Sequence, residues 1–194
     1  MSFDDLPSYT TEDGVEVSVQ VTSVEPSEAI EDIVDRLDSA RGVLLSSSYE
    51  YPGRYTRWDM GFVDPPLVIT SHGDKVDVEA LNSRGELLLE PVRDNLKSLS
   101  CVTVEADSVR KVTCRVERGT VRFSEEERSR QPSSFSVVRS MVELFRGSDE
   151  HLGLYGAFGY DLAFQFEPIE LKRSRPANQR DLVLYVPDEV TVVD

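Results

Sequence analysis

The feature that most constrains the fold is a series of short segments whose apolar residues either alternate with polar ones or run together. Such segments occur at residues 15–21, 67–70, 76–80 and 182–186, and Val102, Val104, Val109 and Val112 mark further strands. A period of two is typical of a half-buried β-strand, and a short apolar run of a buried one. Turn residues punctuate the series, as at His72-Gly73-Asp74. The sequence therefore predicts an α+β protein with largely antiparallel sheets and flanking helices.

Three helices are predicted beside the strands. The first begins at Pro26, where the missing N–H of proline costs nothing, and Gly42 is expected to end it. The second is expected to open at Pro91, after a cluster of turn residues at 82–85. The third follows a serine cap in residues 131–134. Residues before Asp13 show no period and are predicted to form an irregular arm.

The charge and the apolar content exclude several classes of function. The formal net charge is -15 over 194 residues, which argues against nucleic-acid and anionic-membrane partners, because phosphates require a basic face. The sequence has no apolar run of about eighteen residues and no signal peptide at its acidic start. A cytoplasmic location is therefore predicted. The length suits one domain, residues 1–194.

Cysteine and histidine are too sparse to suggest a metal site or a catalytic triad. Cys101 and Cys114 stand singly, without metal-ligand spacing, and are predicted to be buried thiols. His72 and His151 are the only histidines, and neither has a nucleophile beside it. No catalytic residue and no metal ligand is predicted in this chain.

One stretch carries more chemistry than a packed scaffold requires. In residues 44–59, two leucines run into three serines, a Pro52-Gly53 turn follows, and the chain returns as a strand with Arg57 and the single tryptophan, Trp58. Hydroxyls near a guanidinium can bind a small zwitterion. Alternatively, the serines are turn formers and the aromatic strand belongs to the core. The residues alone leave both readings open.

Three blocks together show a family resemblance. They are residues 44–59, residues 153–168 with Gly-Leu-Tyr-Gly-Ala-Phe-Gly-Tyr-Asp-Leu, and residues 180–189 with Arg-Asp-Leu-Val-Leu-Tyr-Val-Pro-Asp-Glu. In order and spacing they resemble the N-terminal domain of anthranilate synthase component I, in the form fused to a glutamine amidotransferase. The resemblance implies the N-terminal portion of the chorismate-utilising fold. It also favours close sheet packing, rather than a phosphate cradle, for the glycines at 153, 156 and 159.

The resemblance implies roles for individual residues. Leu45, Ser46 and Ser47 match the family's Leu-Glu-Ser motif, which helps to bind the inhibitor L-tryptophan; Ser47 matches the serine and Ser46 replaces the usual glutamate. A neutral hydroxyl gives a weaker contact to an ammonium than a carboxylate does. Arg54 matches a basic position that could line the same pocket. The family's Gly-Tyr-Asp block, with Asp161 here, is expected to be scaffold.

The implied function is that of the regulatory and scaffolding portion of anthranilate synthase. This lyase of tryptophan biosynthesis converts chorismate and glutamine to anthranilate, pyruvate and glutamate. Its C-terminal chorismate-binding portion, which also holds Mg²⁺, is expected to be missing here, so this segment alone should be inactive and without a cofactor. That portion and a glutamine amidotransferase, fused or separate, are the expected protein partners. Alternatives are the same portion of an aminodeoxychorismate, salicylate or phenazine-pathway enzyme, or a stand-alone amino-acid-binding module.

Overall fold

A computed structural model describes residues 8–47, 58–117, 131–167, 170, 172–176 and 178–193. The helices are α1 (Pro26–Leu37), α2 (Ser83–Ser98) and α3 (Ser134–Leu144), with a 3-10 helix at Tyr160–Gln165. The strands are β1 (Tyr9–Thr10), β2 (Glu16–Val17), β3 (Gly42–Ser46), β4 (Asp59–Val63), β5 (Leu67–His72), β6 (Lys75–Ala80), β7 (Val102–Asp107), β8 (Lys111–Val116), β9 (Tyr155–Phe158), β10 (Leu182–Val186) and β11 (Thr191–Val193).

A six-stranded sheet in the order β7-β8-β6-β5-β10-β9 is the centre of the described part. Its register places Val112, Val78, Ile69 and Leu184 in one row across four neighbouring strands. All four side chains are buried, and apolar residues of α2 and α3 join them in a single core. Burying a side chain of this size stabilises the fold by about 1.5–3 kcal/mol. The alternation seen in the sequence therefore supplies the sheet face on which both helices pack.

A three-stranded sheet in the order β11-β4-β3 lies beside the larger one. Phe62 of β4 makes edge-to-face contacts with Tyr155 and Tyr185, at centroid separations of 5.8 and 6.0 Å. Helix α1 packs on the other face, where a Cβ added at Gly61 would lie 3.1 Å from Ile33 Cδ1. The small sheet is thus held between α1 and the larger sheet.

Every strand pairing among the described residues is antiparallel. Helices α2 and α3 contact strands of the six-stranded sheet, and α1 contacts β3 and β4. The predicted fold class, α+β with largely antiparallel sheets and flanking helices, is confirmed.

The predicted N-terminal arm and first strand need correction. Hydrogen-bonded pairing covers only Glu16–Val17, which pairs with Tyr9–Thr10 inside the segment predicted to be irregular. The valines at 15, 17 and 19 are half-buried while residues 16, 18 and 20 are exposed. The two-residue burial period is therefore real, but the ladder spans only part of it.

Helix α2 begins eight residues before the predicted start at Pro91. The Asn82 side chain accepts a hydrogen bond from the Gly85 N–H at 3.1 Å and caps the helix. Asparagine and glycine favour both turns and helix ends, and the cluster predicted to form a turn at 82–85 is the start of this helix. Pro91 lies inside the helix. Because proline has no N–H, the carbonyl of Leu87 lacks its usual helical hydrogen bond. The Leu87 side chain is exposed, so this carbonyl belongs to the solvent-facing side of the helix.

Two smaller corrections concern Gly42 and Val109. Helix α1 ends at Leu37, and Gly42 is instead the first residue of β3. A Cβ at Gly42 would lie 2.2 Å from the carbonyl oxygen of Phe62, so glycine allows β3 to approach β4. Val109, predicted to lie in a strand, is an exposed residue between β7 and β8.

The glycine-rich block has the close packing that was predicted for it. Gly156 of β9 has φ +157°, and a Cβ there would lie 2.1 Å from the carbonyl oxygen of Val183 in the paired strand β10. Only glycine combines this backbone conformation with this approach. The glycine therefore serves the β9–β10 pairing.

Candidate functional site

The site predicted from the sequence lies at the end of the β3–β4 ladder. Ser46 pairs with Asp59, and the Ser47 N–H continues the ladder by donating to the Trp58 carbonyl at 3.0 Å. The predicted hairpin pairing is therefore present. The Pro52-Gly53 turn, Arg54 and Arg57 lie outside the described residues.

The structure does not place the predicted hydroxyls on a single wall. Successive residues of a strand point to opposite faces, so Leu45 and Ser47 share one face while Ser46 lies on the other. Leu45 and Ser46 are exposed, and Ser47 is half-buried. One ligand can reach both serines only across the edge of β3. Whether these residues bind L-tryptophan remains a prediction.

Strand β3 offers such an edge, because it is the outer strand of the three-stranded sheet among the described residues. Hydrogen-bonded and non-hydrogen-bonded pairs alternate along an antiparallel ladder. Since Ser47 and Trp58 are hydrogen-bonded, Ser46 and Asp59 form the intervening non-hydrogen-bonded pair. The backbone N–H and C=O of Ser46 therefore point away from β4, toward the open side of the sheet.

An apolar row crosses the face that carries Leu45. Leu45, Met60 and Val192 are opposite one another on the three strands. Leu45 and Val192 are each 38% exposed, and Trp58, two residues before Met60, is exposed to a similar extent. This face offers apolar contact area next to the polar strand end.

Asp59 is a candidate residue that the sequence reasoning missed. It is only 7% exposed, yet its Oδ1 atom has no hydrogen-bond partner in the described part of the chain. Such an atom is uncommon, because buried polar groups are normally paired. Asp59 lies immediately after the tryptophan of the stretch singled out above, but its pairing with Ser46 depends on a register that the sequence does not give.

The Gly-Tyr-Asp block belongs to a polar network at the end of the large sheet. Asp181 is fully buried; it accepts a hydrogen bond from the Gly73 N–H at 2.6 Å and pairs with Arg175. Asp161 accepts a hydrogen bond from the side chain of Gln179, and its Oδ2 lies 3.1 Å from Arg175 Nε. These contacts confirm a structural role for Asp161.

The remaining chemically reactive side chains are explained by packing. Cys114 is buried, as predicted, and burial raises the pKa of its thiol to about 12, so it is not a reactive thiolate. Cys101 is only partly buried. His72 Nδ1 lies 3.0 Å from the carbonyl oxygen of Gln179. Across the described residues, no group of three or more His, Cys, Asp or Glu side chains is arranged to hold a metal ion.

None of the helices in the described ranges is both long and apolar enough to cross a membrane.

By fold, the described part is an α+β protein built on antiparallel sheets. Comparison with known proteins narrows this class. No protein-family model matches the chain. It is 44% identical over 187 residues to a protein named anthranilate synthase from Azospirillum brasilense, an alignment that covers 96% of this chain and 25% of the relative.

Two further relatives carry related names. Anthranilate synthase component 1 of Vibrio parahaemolyticus is 30% identical over 155 residues, covering 78% of this chain and 28% of the relative. The pyocyanine-specific anthranilate synthase component 1 of Pseudomonas aeruginosa is 26% identical over 160 residues, with the same two coverages. The chain is therefore homologous to part of anthranilate synthase, and the resemblance seen in its three blocks is confirmed. It spans about a quarter of the length of the relatives it matches.

Proposed function

We propose that this chain is the N-terminal regulatory and scaffolding portion of an anthranilate synthase. The observation that carries the proposal is the 44% identity to a protein of that name across 96% of the chain. The complete protein would convert chorismate and glutamine to anthranilate, pyruvate and glutamate in the cytoplasm, in tryptophan biosynthesis. The chorismate-binding portion and a glutamine amidotransferase, fused or separate, would be its protein partners.

The chemistry of the reaction is assigned to the chorismate-binding portion. The resemblance implies that Mg²⁺ is held by the chorismate-binding portion, and the proposal keeps it there. In this proposal residues 1–194 serve as one scaffolding domain and are inactive on their own.

The regulatory part of the proposal places L-tryptophan at the end of β3. The edge of this strand supports it, since no described strand pairs with that side of β3 and the backbone N–H and C=O of Ser46 point to it. The row of Leu45, Met60 and Val192, with exposed side chains at both ends, supports it as well, because an indole ring needs apolar contact area. Ser47 and Arg54 would complete the polar contacts.

Inhibition would follow from a difference in affinity between two arrangements of the protein. If the amino acid packs between β3 and the chorismate-binding portion, its binding favours the arrangement with low affinity for chorismate. Linkage then requires chorismate to weaken L-tryptophan binding by the same factor. The coupling is therefore measurable from either ligand.

The test is made in the full-length protein with the variant Ser47→Ala. Anthranilate formation from chorismate and glutamine is followed by fluorescence as L-tryptophan is added. We expect Ser47→Ala to need several-fold more L-tryptophan for half inhibition, because one hydrogen bond contributes about 0.5–1.5 kcal/mol, and to keep the uninhibited rate. Ser39→Ala, which changes an exposed serine beyond α1, is the matched control. Equal inhibition curves for the parent and Ser47→Ala would remove Ser47 from the site.

A further inference from the structure

We propose that strand β9 is a docking edge, with which an apolar strand of the chorismate-binding portion pairs in the complete protein. This inference rests on the proposed function, and it names the surface through which the described fold is joined to the rest of the enzyme. Among the described residues, β9 is an outer strand of the six-stranded sheet.

The backbone of β9 has hydrogen-bonding groups that face away from the sheet. The Gly159 N–H donates to the Asp181 carbonyl at 2.6 Å. This bond continues the β9–β10 register, in which the next pair is Phe158 and Leu182. Since hydrogen-bonded and non-hydrogen-bonded pairs alternate, Phe158 and Gly156 both belong to non-hydrogen-bonded pairs with β10. Their N–H and C=O groups therefore point to the outer side of β9, where no strand of the described residues pairs with them.

The two edges of the six-stranded sheet differ in their protection against pairing. Edge strands are usually protected by charged side chains or bulges, because a free row of backbone groups can pair with another strand. The opposite edge, β7, has both features. It carries Glu105 and Asp107, and its register with β8 shifts after Val104. In contrast, residues 152–160, which include β9, contain no charged residue, although 29% of the chain is charged. Strand β9 therefore has the composition of an edge that meets a partner.

Exposed aromatic side chains accompany this edge. Phe158 is 54% exposed, and Tyr160, two residues further along the chain, is 89% exposed. The centroid of the Phe158 ring lies 5.5 Å from that of Phe135 in α3, which itself packs against the hydrophobic core. The apolar layer between the sheet and α3 thus continues to β9 and meets solvent there. A further strand paired with β9 would extend this layer and remove aromatic surface from water, which is favourable.

The side chains of β9 indicate what kind of strand fits. Gly156 and Ala157 are small and exposed, so large side chains of a neighbouring strand can lie against them. Phe158 favours an aromatic or β-branched residue as its neighbour across the pair. Because β9 has no charged residue, it offers no ion pair to a partner. The occupant that fits is therefore an apolar strand and not a charged peptide.

The chorismate-binding portion is the occupant that the observations favour. The alignments leave about three-quarters of each relative uncovered, so the proposed complete protein has much more chain to place against this surface. Docking within one polypeptide benefits from a high effective concentration, which a second molecule in solution does not have. A second copy also carries the same net charge of -15, and like charges repel. An amidotransferase can be a separate protein, whereas an apolar interface of this kind is typical of permanent association.

Residue-resolved hydrogen exchange of the full-length protein tests the pairing. We expect the amides of Gly156 and Phe158 to exchange at least about tenfold more slowly than that of Val104, because a paired edge must open before it exchanges. Val104 is the matched control, since the β7–β8 register gives its N–H the same outward direction on the protected edge. Phe158→Lys places a charge on β9 and should make the Gly156 amide exchange several-fold faster, whereas Leu87→Lys, at an exposed position of α2, should not.

Photocrosslinking of the full-length protein identifies the occupant. The photoreactive residue p-benzoylphenylalanine in place of Tyr160 should crosslink to a peptide of the chorismate-binding portion of the same chain, as read by mass spectrometry. The same residue in place of Leu87, which is 78% exposed on α2, is the control and should not give this product. A crosslink from position 160 to a second copy or to the amidotransferase, or no crosslink at all, would overturn the inference.

The outcomes separate this inference from the proposed function, because neither readout depends on catalysis. If the β9 amides exchange as fast as that of Val104 in a protein that makes anthranilate, the docking edge is refuted while the proposed function stands. If the amides are protected and the crosslink forms in a protein that makes no anthranilate, the docking edge stands and the proposed function is refuted.

Discussion

The three buried aspartates of the described residues, Asp59, Asp77 and Asp181, lead to a stability prediction that can be worked out from their contacts. Each is replaced by asparagine, which keeps the shape and removes the charge. For Asp181→Asn we expect a loss of about 2–4 kcal/mol in the free energy of unfolding, near the lower end for breaking a buried ion pair. The reason for the lower end is that Arg175 is partly exposed and keeps its contact with Asp161.

The other two substitutions should cost less. Asp77→Asn loses its pairing with Lys111 but can keep an acceptor for Thr113, so we expect about 1–2 kcal/mol. Asp59→Asn removes a charge that has no ion pair in the described residues, and it should change stability by less than about 1 kcal/mol in either direction.

Urea unfolding, followed by far-ultraviolet circular dichroism, measures the series. The predicted order of destabilisation is Asp181→Asn, then Asp77→Asn, then Asp59→Asn. A loss for Asp59→Asn as large as that for Asp181→Asn would refute the reasoning, because it would show that the Asp59 carboxylate stabilises the fold.

Two further predictions concern backbone packing and pH. Gly156→Ala should lower the free energy of unfolding in urea by at least about 1–3 kcal/mol, since its Cβ would lie 2.1 Å from the carbonyl oxygen of Val183. Gly73→Ala is the control. It should cost less, because the space around Gly73 is open and only its positive φ opposes a side chain. Burial alone would raise the pKa of Asp77, but the hydrogen bond from Thr113 and the charge of Lys111 outweigh it and hold the pKa below its usual value. A lowered folded-state pKa contributes stability above the unfolded pKa, near 4, and loses it as the pH falls through the folded value. Asp77→Asn lacks this carboxyl group, so its free energy of unfolding should fall less than that of the parent as the pH drops below about 4. Identical pH profiles of stability for variant and parent would contradict this assignment.

The sequence predicted those elements whose side-chain period is uninterrupted. Strands β5, β6 and β10 and helices α1 and α3 follow directly from apolar spacing, because burial of one face decides their structure. The start of α2 could not be predicted in this way. Asn82 and Gly85 favour a turn as readily as a helix cap, and only the bond between them distinguishes the two.

Only part of the candidate site could be predicted from the sequence, because the rest depends on the extent and register of the strands. The stretch that contains Ser46 and Ser47 could be recognised, because its residue types and the family resemblance are properties of the sequence. The opposite faces of these serines follow from strand alternation, which applies only once the extent of β3 is known. The position of Asp59 opposite Ser46 depends on the register across the hairpin, and no single residue reports it.

The central claim is that the end of β3 binds L-tryptophan in a protein that makes anthranilate. Calorimetric titration of L-tryptophan into the full-length protein, with and without saturating chorismate, tests it most directly. The account predicts binding at one site per chain, weakened by chorismate and weakened again in Ser47→Ala. Binding that is absent, or that is unchanged by both chorismate and Ser47→Ala, would contradict it.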